Sequence, residues 1–416
     1  MSKTAEIVAI GTELLLGNIA NTDAQVISQA LSEIGINVYF HTVVGDNPQR
    51  IIQALELAKK RADIIITTGG LGPTYDDITK ETVAGCFGLK LVRHEETVER
   101  LHSFFKERGA KYTANNESQA MLPEGCTVFR NDWGTAPGCA FEAGGSTVIM
   151  LPGPPSECVP MLKFCAVPYL ERFADAVMVS RNIRVYGMGE SAMENAVRDL
   201  IVSMENPTVA PYALTGECRL RVTAKAATRE EAYALTEPVI KQLTDRLGDV
   251  VYGIDVESLE ETVVSLLREN NCTLATAESC TGGLLSGRIT SVPGSSAVFL
   301  GGICAYSNDV KTGLLNIDRE VVEKHGAVSA EVAVLMAENV RRLMKSDVGV
   351  GVTGVAGPGE SENKPAGTVF VAVSSGEYGS EVAELKLGSG RERVRSLSVL
   401  RAMDMVRRHL LNWRQR

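Results

Sequence analysis

Long apolar runs, metal-ligand pairs and a surplus of positive charge are all missing from this sequence. No stretch approaches the roughly 20 apolar residues that span a bilayer, so no membrane-embedded role is expected. Nine cysteines are scattered without a CxxC pair, and the five histidines show neither helical nor zinc-ligand spacing. That pattern argues against a structural zinc site and leaves open only a hard metal held by carboxylates. Cys86, Cys165 and Cys304 sit in apolar contexts, as reduced core thiols of a cytoplasmic protein do. Met1 to Glu6 run straight into a strand-like segment, so no signal peptide is expected. A net charge of −9 supplies no general electrostatic reason to bind nucleic acid.

What is present is an ordinary globular composition, 44% hydrophobic and 22% charged, over 416 residues. That length accommodates two or three domains of roughly 100–200 residues. The first third alternates strands and helices. Glu6 to Ile10 reads as a buried strand, Asn21 to Ile34 as a helix ending at Gly35, and Ile36 to Val44 as a strand. Pro48 to Arg61 reads as a helix with proline in its first turn, and Asp63 to Thr68 as a central parallel strand. This rhythm implies a doubly wound sheet, whose ligands bind at the carboxyl ends of its strands. Thr147 to Met150 reads as a further strand, and Ser156 as the cap of a helix running to about Leu170. The segment from about Ser180 to Gly253 reads strand, helix, strand, strand, helix, a small α+β unit. A third unit follows the linker Gly253 to Ser258 and ends in a basic helix with Arg401, Arg407, Arg408, Arg414 and Arg416, read as a solvated face. The domains expected are 1–172, 173–254 and 255–416.

Two segments carry chemistry. In the third unit, Thr276-Ala277-Glu278-Ser279-Cys280-Thr281-Gly282-Gly283 joins a short apolar strand to a helix start. A serine on such a turn exposes its hydroxyl, and the helix start offers backbone N–H groups to a developing oxyanion. The same turn, taken alone, also fits an ordinary βα loop whose hydroxyls cap a helix. Tyr306 and Lys311 follow the next strand, and a buried lysine is a base if its pKa falls far enough. Glycines from Gly354 to Gly359 let backbone amides approach an anionic ligand.

In the first unit, Gly69-Gly70-Leu71-Gly72-Pro73-Thr74 with Asp76 and Asp77 forms a second special loop. Its backbone suits a phosphate, and its aspartates suit a divalent metal or a proton. The aspartates equally suit the start of a helix near Ile78. Thr12, Glu13, Asn18 and Asp46 lie on other strand-end loops.

The third unit resembles the C-terminal domain of the CinA family, whose members act as nicotinamide-nucleotide amidases. The resemblance rests on the Thr276 to Gly283 string, Tyr306-Ser307-Asn308 with Lys311, His325 to Ser329, Gly354 to Pro358, and Lys364 to Val369. It implies hydrolysis of the carboxamide of nicotinamide mononucleotide to nicotinate mononucleotide and ammonia, without a cofactor. Ser279 would be the nucleophile, with Lys311 and Tyr306 activating it and returning a proton to ammonia. Amides near Cys280 to Gly283 would hold the oxyanion. Glu278, Cys280, Thr281, Gly282, Gly283, Asn308, Thr353, Gly354 and Arg391 would contact the nucleotide, the arginine facing phosphate. Two departures from the family pattern, Thr353 for serine and Gly390 for aspartate, remove no catalytic group.

The first unit resembles the molybdopterin-binding domain, most closely that of CinA proteins. Relatives with this domain are reported as metal-dependent ADP-ribose pyrophosphatases. The resemblance implies a nucleotide site at Thr12, Glu13, Asn18, Asp46, Gly69, Gly70, Gly72, Thr74 and Asp76, with a divalent metal at Asp76 and Asp77. The alternative is a nucleotide- or pterin-binding or regulatory interaction module without turnover. The middle unit resembles the family's KH-like spacer but has no GxxG loop, so RNA binding in the KH mode is not expected. The expected fold class is α/β: an N-terminal doubly wound molybdopterin-binding-like domain, a small α+β KH-like spacer and a C-terminal α/β amidase domain. Expected partners are small-molecule nucleotides and a second copy of the chain as a homodimer, with no nucleic acid and no membrane.

Overall fold

A computed structural model describes residues 3–173, 176–376 and 378–413. The chain forms two compact units, Met1–Ser180 with Thr223–Pro238, and Arg181–Val222 with Val239–Arg416.

The first unit is built on a six-stranded sheet. Its strands lie in the order Asn37–Val44, Thr4–Ile10, Ile64–Thr68, Ser146–Leu151, Gly138–Ala143, Thr127–Phe129. The first four are mutually parallel, and the last two turn antiparallel. The central strand Ile64–Thr68 is buried throughout because helices cover both faces. Ile64 and Ile66 pack with Ile27 and Leu31 on one side, while Ile65 packs with Ile51 and Leu55 on the other. Asn21 and Asn47 accept from Ala24 N and Arg50 N and so start the helices Thr22–Glu33 and Pro48–Ala58. The loops after Ile10, Thr68 and Leu151 all leave from one edge of the parallel strands.

A four-stranded sheet has the order Thr208–Leu214, Glu217–Ala226, Val177–Tyr186, Val251–Ile254. Leu220, Val222 and Ala224 alternate inward as the sequence predicts. The strand Val251–Ile254 falls partly in the expected linker and pairs antiparallel with Val177–Tyr186.

The second unit carries a five-stranded sheet in the order Phe299–Cys304, Leu274–Glu278, Val348–Gly354, Thr368–Ser375, Gly379–Lys386. Its first three strands are parallel and its last two antiparallel. The helices Leu259–Glu269 and Arg391–Trp413 pack together against one side of this sheet. Helix Ala330–Met344 packs closely along the strands Val348–Gly354 and Thr368–Ser375. Gly349 and Gly351 permit that approach: a Cβ at Gly351 would stand 2.2 Å from the Ala333 carbonyl oxygen.

Among the described residues, no helix is long and apolar enough to cross a membrane. Four local expectations need correction. Ser156 caps nothing: the helix Pro155–Met161 begins behind Pro154 without a side-chain cap, then widens into a π-turn over Leu162–Ala166. Asp76 and Asp77 do not cap the helix Thr79–Cys86, whose cap position is Ile78. Cys304 is exposed at the last position of an edge strand, and Cys86 and Cys165 are only half-buried. The buried thiols are instead Cys139, Cys158, Cys218, Cys272 and Cys280. Arg407 is 2% exposed and does not lie on a solvated face. It donates to Asp404 Oδ1 at 2.7 Å and to the Asp249 carbonyl at 2.8 Å, as a buried guanidinium must. Arg408 joins the same carboxylate at 2.8 Å, whereas Arg414 and Arg416 lie outside the described residues.

Because the methyl at position 351 would press on helix backbone that has no freedom to move aside, Gly351→Ala should destabilise the chain by about 2 kcal/mol. A lowered urea midpoint with an unchanged m-value is the measurement.

Candidate functional site

The strand Leu274–Glu278 is central, flanked by Phe299–Cys304 and Val348–Gly354 in parallel. The chain leaves its carboxyl end through Ser279 and re-enters a helix at Leu284. Two consecutive glycines make this turn, Gly282 at φ +59° and Gly283 at φ +90°, a left-handed pair that other residues resist. The turn is tied down by Glu278, whose fully buried carboxylate accepts from Gly283 N, Leu285 N, Ser286 N and Ser286 Oγ at 2.6 to 3.1 Å. Glu278 therefore faces the helix start and shapes the site from behind.

The amides of the turn are divided between structure and chemistry. Ser279 N donates to the Val352 carbonyl, Gly282 N to the Ser279 carbonyl and Gly283 N to Glu278. The backbone amides of Cys280 and Thr281 offset part of the effect of burial on the Cys280 thiol. Of the turn residues Cys280 to Gly283, Cys280 is the one that lines the cavity beside Ser279. Burial pushes the Cys280 thiol up to about 12, so it stays protonated at neutral pH and does not compete with the serine as nucleophile.

The next strand ends at Cys304, and Ser307 caps the helix Asn308–Gly313 by accepting from Val310 N. One turn into that helix, Lys311 points inward. Its side chain is 2% exposed, and Nζ donates to Ser279 Oγ at 3.3 Å. Burial holds its pKa below the usual lysine value, opposed first by the Glu362 carboxylate. Tyr306 is 60% exposed, and its hydroxyl accepts from Arg391 Nη2 at 3.1 Å rather than bonding Ser279 or Lys311. Arg391 also donates to the Gly357 carbonyl at 3.0 Å.

Ser279, Cys280, Tyr306, Asn308, Lys311, Thr353, Gly354 and Arg391 line one cavity of about 370 Å³. Thr353 Oγ1 donates to the Ala327 carbonyl at 2.7 Å, so its hydroxyl hydrogen is spent on the wall. Thr281, Gly282 and Gly283 do not line the cavity; they shape the turn behind it. Glu362 does line it, and nothing in the sequence spacing marked this residue.

The first unit has its own cleft of about 520 Å³, where the strand-end loops converge. Glu13, Asp46, Gly69, Gly70, Gly72, Asp76 and Asp77 line it. Thr12 stands behind Asp46, giving N–H and hydroxyl bonds to Oδ2 at 2.9 and 2.8 Å. Thr74 lines an adjoining hollow, and its hydroxyl lies 2.5 Å from both Asp76 Oδ1 and Asp77 Oδ2. Asn18 does not line the cleft, and Ile19 takes that place. Gly69 has φ +98°, and a Cβ there would sit 2.1 Å from the Ile10 carbonyl oxygen, which explains that glycine. Gln119, Thr135 and Glu157 also line the cleft. Gln119 is 1% exposed and donates to Thr135 Oγ1 at 2.9 Å, while its Oε1 has no hydrogen-bond partner. Among the described residues, no group of three or more His, Cys, Asp and Glu side chains is placed to hold a metal ion. Asp76 and Asp77 supply carboxylate oxygens, the donor type a hard, largely hydrated cation takes, and both are bonded to the Thr74 hydroxyl.

Fold and site together define a protein that joins a molybdopterin-binding-type α/β domain to a second α/β domain with a buried serine–lysine pair. Three family models match the chain: a probable molybdopterin binding domain over residues 6–172, the damage-inducible protein CinA KH domain over 180–253, and the CinA C-terminal domain over 256–410. The chain belongs to the CinA family. A CinA-like protein of Dictyoglomus thermophilum is 50% identical over 409 residues, covering 98% of this chain and 99% of the relative. A putative competence-damage inducible protein of Acetivibrio thermocellus is 50% identical over 408 residues, covering 98% of each. The crystal structure of CinA from Thermoplasma acidophilum is 35% identical, covers 41% of this chain and 97% of that one, and has a TM-score of 0.37.

Replacing Glu278 by alanine takes the carboxylate acceptor from three amides, that of Leu285 fully buried, and leaves the Ser286 hydroxyl with Thr276 alone. The expected loss is about 3 kcal/mol or more of unfolding free energy, read from urea denaturation.

Proposed function

We propose that the second unit hydrolyses the carboxamide of nicotinamide mononucleotide, giving nicotinate mononucleotide and ammonia. The observation that carries this reading is the buried Lys311 amine, depressed in basicity and 3.3 Å from Ser279 Oγ at the end of a parallel strand. A neutral lysine removes the serine proton as Oγ attacks the amide carbon. The carbonyl oxygen becomes an oxyanion, which the Cys280 amide on the cavity wall would meet. The Lys311 ammonium then gives its proton to the departing nitrogen, which leaves as ammonia. The ester left on Ser279 is cleaved by water, with Lys311 again the base, and the carboxylic acid product departs.

The Arg391 guanidinium, held by Tyr306 and Gly357, suits a 5′-phosphate at the cavity mouth. Tyr306 in this reading positions that arginine, and proton transfer rests on Lys311. A cavity of about 370 Å³ lies at the small end of ligand pockets, roughly 300–1,000 Å³, and favours a mononucleotide over a dinucleotide.

The cleft of the first unit supports a second activity, hydrolysis of the pyrophosphate of ADP-ribose. Its glycine backbone approaches a phosphate closely, and its carboxylates gather on one rim. A divalent cation shared by Asp76 and Asp77 would neutralise charge on the pyrophosphate. Glu13 and the Thr12-braced Asp46 line the same cleft and would orient an attacking water.

Three outcomes test these readings in the full-length chain. Ser279→Ala should remove ammonia release from nicotinamide mononucleotide while leaving the thermal midpoint within a few degrees; retained activity would reject the nucleophile. The rate of ammonia release should rise with pH through an ionisation below the lysine reference of about 10.4, and Lys311→Met should lose both the limb and the activity. AMP release from ADP-ribose should require a divalent metal and fall on the order of 100-fold or more in Asp76→Ala. Binding of ADP-ribose without AMP production would instead make the first unit a ligand-binding module.

A further inference from the structure

We propose that Glu362 is the third member of the Ser279–Lys311 site, a positioning residue whose fixed carboxylate stabilises the ammonium that forms on Lys311 during acyl transfer. The proposal rests on the amidase reading above and adds a role for a residue outside the family strings.

The first observation is that Glu362 breaks a local rule. Ser361 and Lys364 exchange backbone hydrogen bonds at 3.1 and 2.9 Å, closing a two-residue turn with Glu362 and Asn363 at its centre. Both central residues are left-handed, at φ +51° and +57°. Such turns favour Asn-Gly, and glutamate at the first position is disfavoured. A locally costly residue at the wall of a cavity points to a role for its side chain.

The second observation is where the carboxylate goes. Oε1 accepts from Ala327 N at 3.1 Å, and Oε2 accepts from Val328 N at 3.0 Å. These two amides precede the helix Ala330–Met344, so the carboxylate is clamped on rigid backbone. Gly326 leaves room for it: a Cβ there would meet Oε2 at 2.6 Å. Glu362 is the one carboxylate that lines the Ser279 cavity among the described residues.

The third observation is electrostatic. The groups acting on Lys311 are Glu362, Cys280 and Cys304. Tyr306 and Arg391 complete the ionisable lining. His325 pairs with Glu331 at 3.1 Å, and Lys364 lies near the Gly326 position. Cys280 stays protonated, and the Glu362 carboxylate is the foremost of the groups that oppose the effect of burial on the lysine. When Ser279 gives its proton to Lys311, a cation forms on an amine with almost no access to water. A carboxylate that does not move offsets that charge as it forms. Burial and Glu362 pull the lysine in opposite directions, and the same amine takes the proton from serine and returns it to ammonia.

The test compares wild type, Glu362→Gln and Glu362→Asp in the full-length chain. One readout is the pH profile of kcat for ammonia release. The other is the Lys311 Nζ titration followed by NMR with ¹⁵N-lysine labelling. Removing the negative neighbour lowers the lysine pKa, so in Glu362→Gln both the titration and the acid limb should move to lower pH. The plateau kcat should fall on the order of tenfold or more. Glu362→Asp keeps the charge and should hold the limb near its wild-type position, although its shorter arm weakens the clamp. A limb and titration that stay in place in Glu362→Gln overturn the proposal, even if kcat falls, because that pattern belongs to a merely structural residue. Should wild type release no ammonia, the amidase reading fails, and the NMR titration still decides separately whether Glu362 acts on Lys311.

Discussion

Glu278 closes the strand it ends and opens the helix that follows. Its buried carboxylate gathers the amides of Gly283, Leu285 and Ser286 and the Ser286 hydroxyl, which bends the chain back within a few residues. A carboxylate without water must be satisfied by donors, and a helix N-terminus is the richest local source of them. Because the turn is drawn tight on that side, Ser279 is left on the other, facing Lys311 across the neighbouring helix. The left-handed glycines and the inert thiol of Cys280 belong to the same bend.

The two clefts share an architectural logic. Each lies where parallel strands end and their loops splay, so each inherits backbone amides and short polar side chains without requiring a groove of its own. They differ in what supplies charge. The first unit gathers carboxylates around a glycine backbone, which suits phosphates approached with a cation. The second pairs one buried amine with a serine and keeps a guanidinium at the rim. The first arrangement is suited to charge neutralisation and the second to proton transfer.

Much of this was legible in the chain. The continuous apolar run Ile64-Ile65-Ile66 declares a strand covered on both faces, and the alternation at Leu220, Val222 and Ala224 declares one covered on a single face. Ser279 and Lys311 could be nominated because strand-to-helix turns and buried lysines have recognisable local settings. Residues that act through long-range partners could not. Arg407 looks like one more base on a basic helix until Asp404 and the Asp249 carbonyl are found around it. Gln119 and Glu362 sit in segments of unremarkable composition, and only the folded chain places them at a cavity.

The alternation of strands and helices in the first third of the chain, the special backbone of the Gly69–Gly72 loop and the Gly282–Gly283 turn were legible in the sequence alone. Periodicity, glycine placement and short-range hydrogen bonding are properties of neighbouring residues. What only the tertiary structure decided is which groups share a dry space. The burial that lowers Lys311, the engagement of Tyr306 by Arg391, the inward face of Glu278 and the clamp on Glu362 all depend on segments tens of residues apart meeting at one strand end. Electrostatics depends on distance and dielectric, and neither is defined before the sheet has formed.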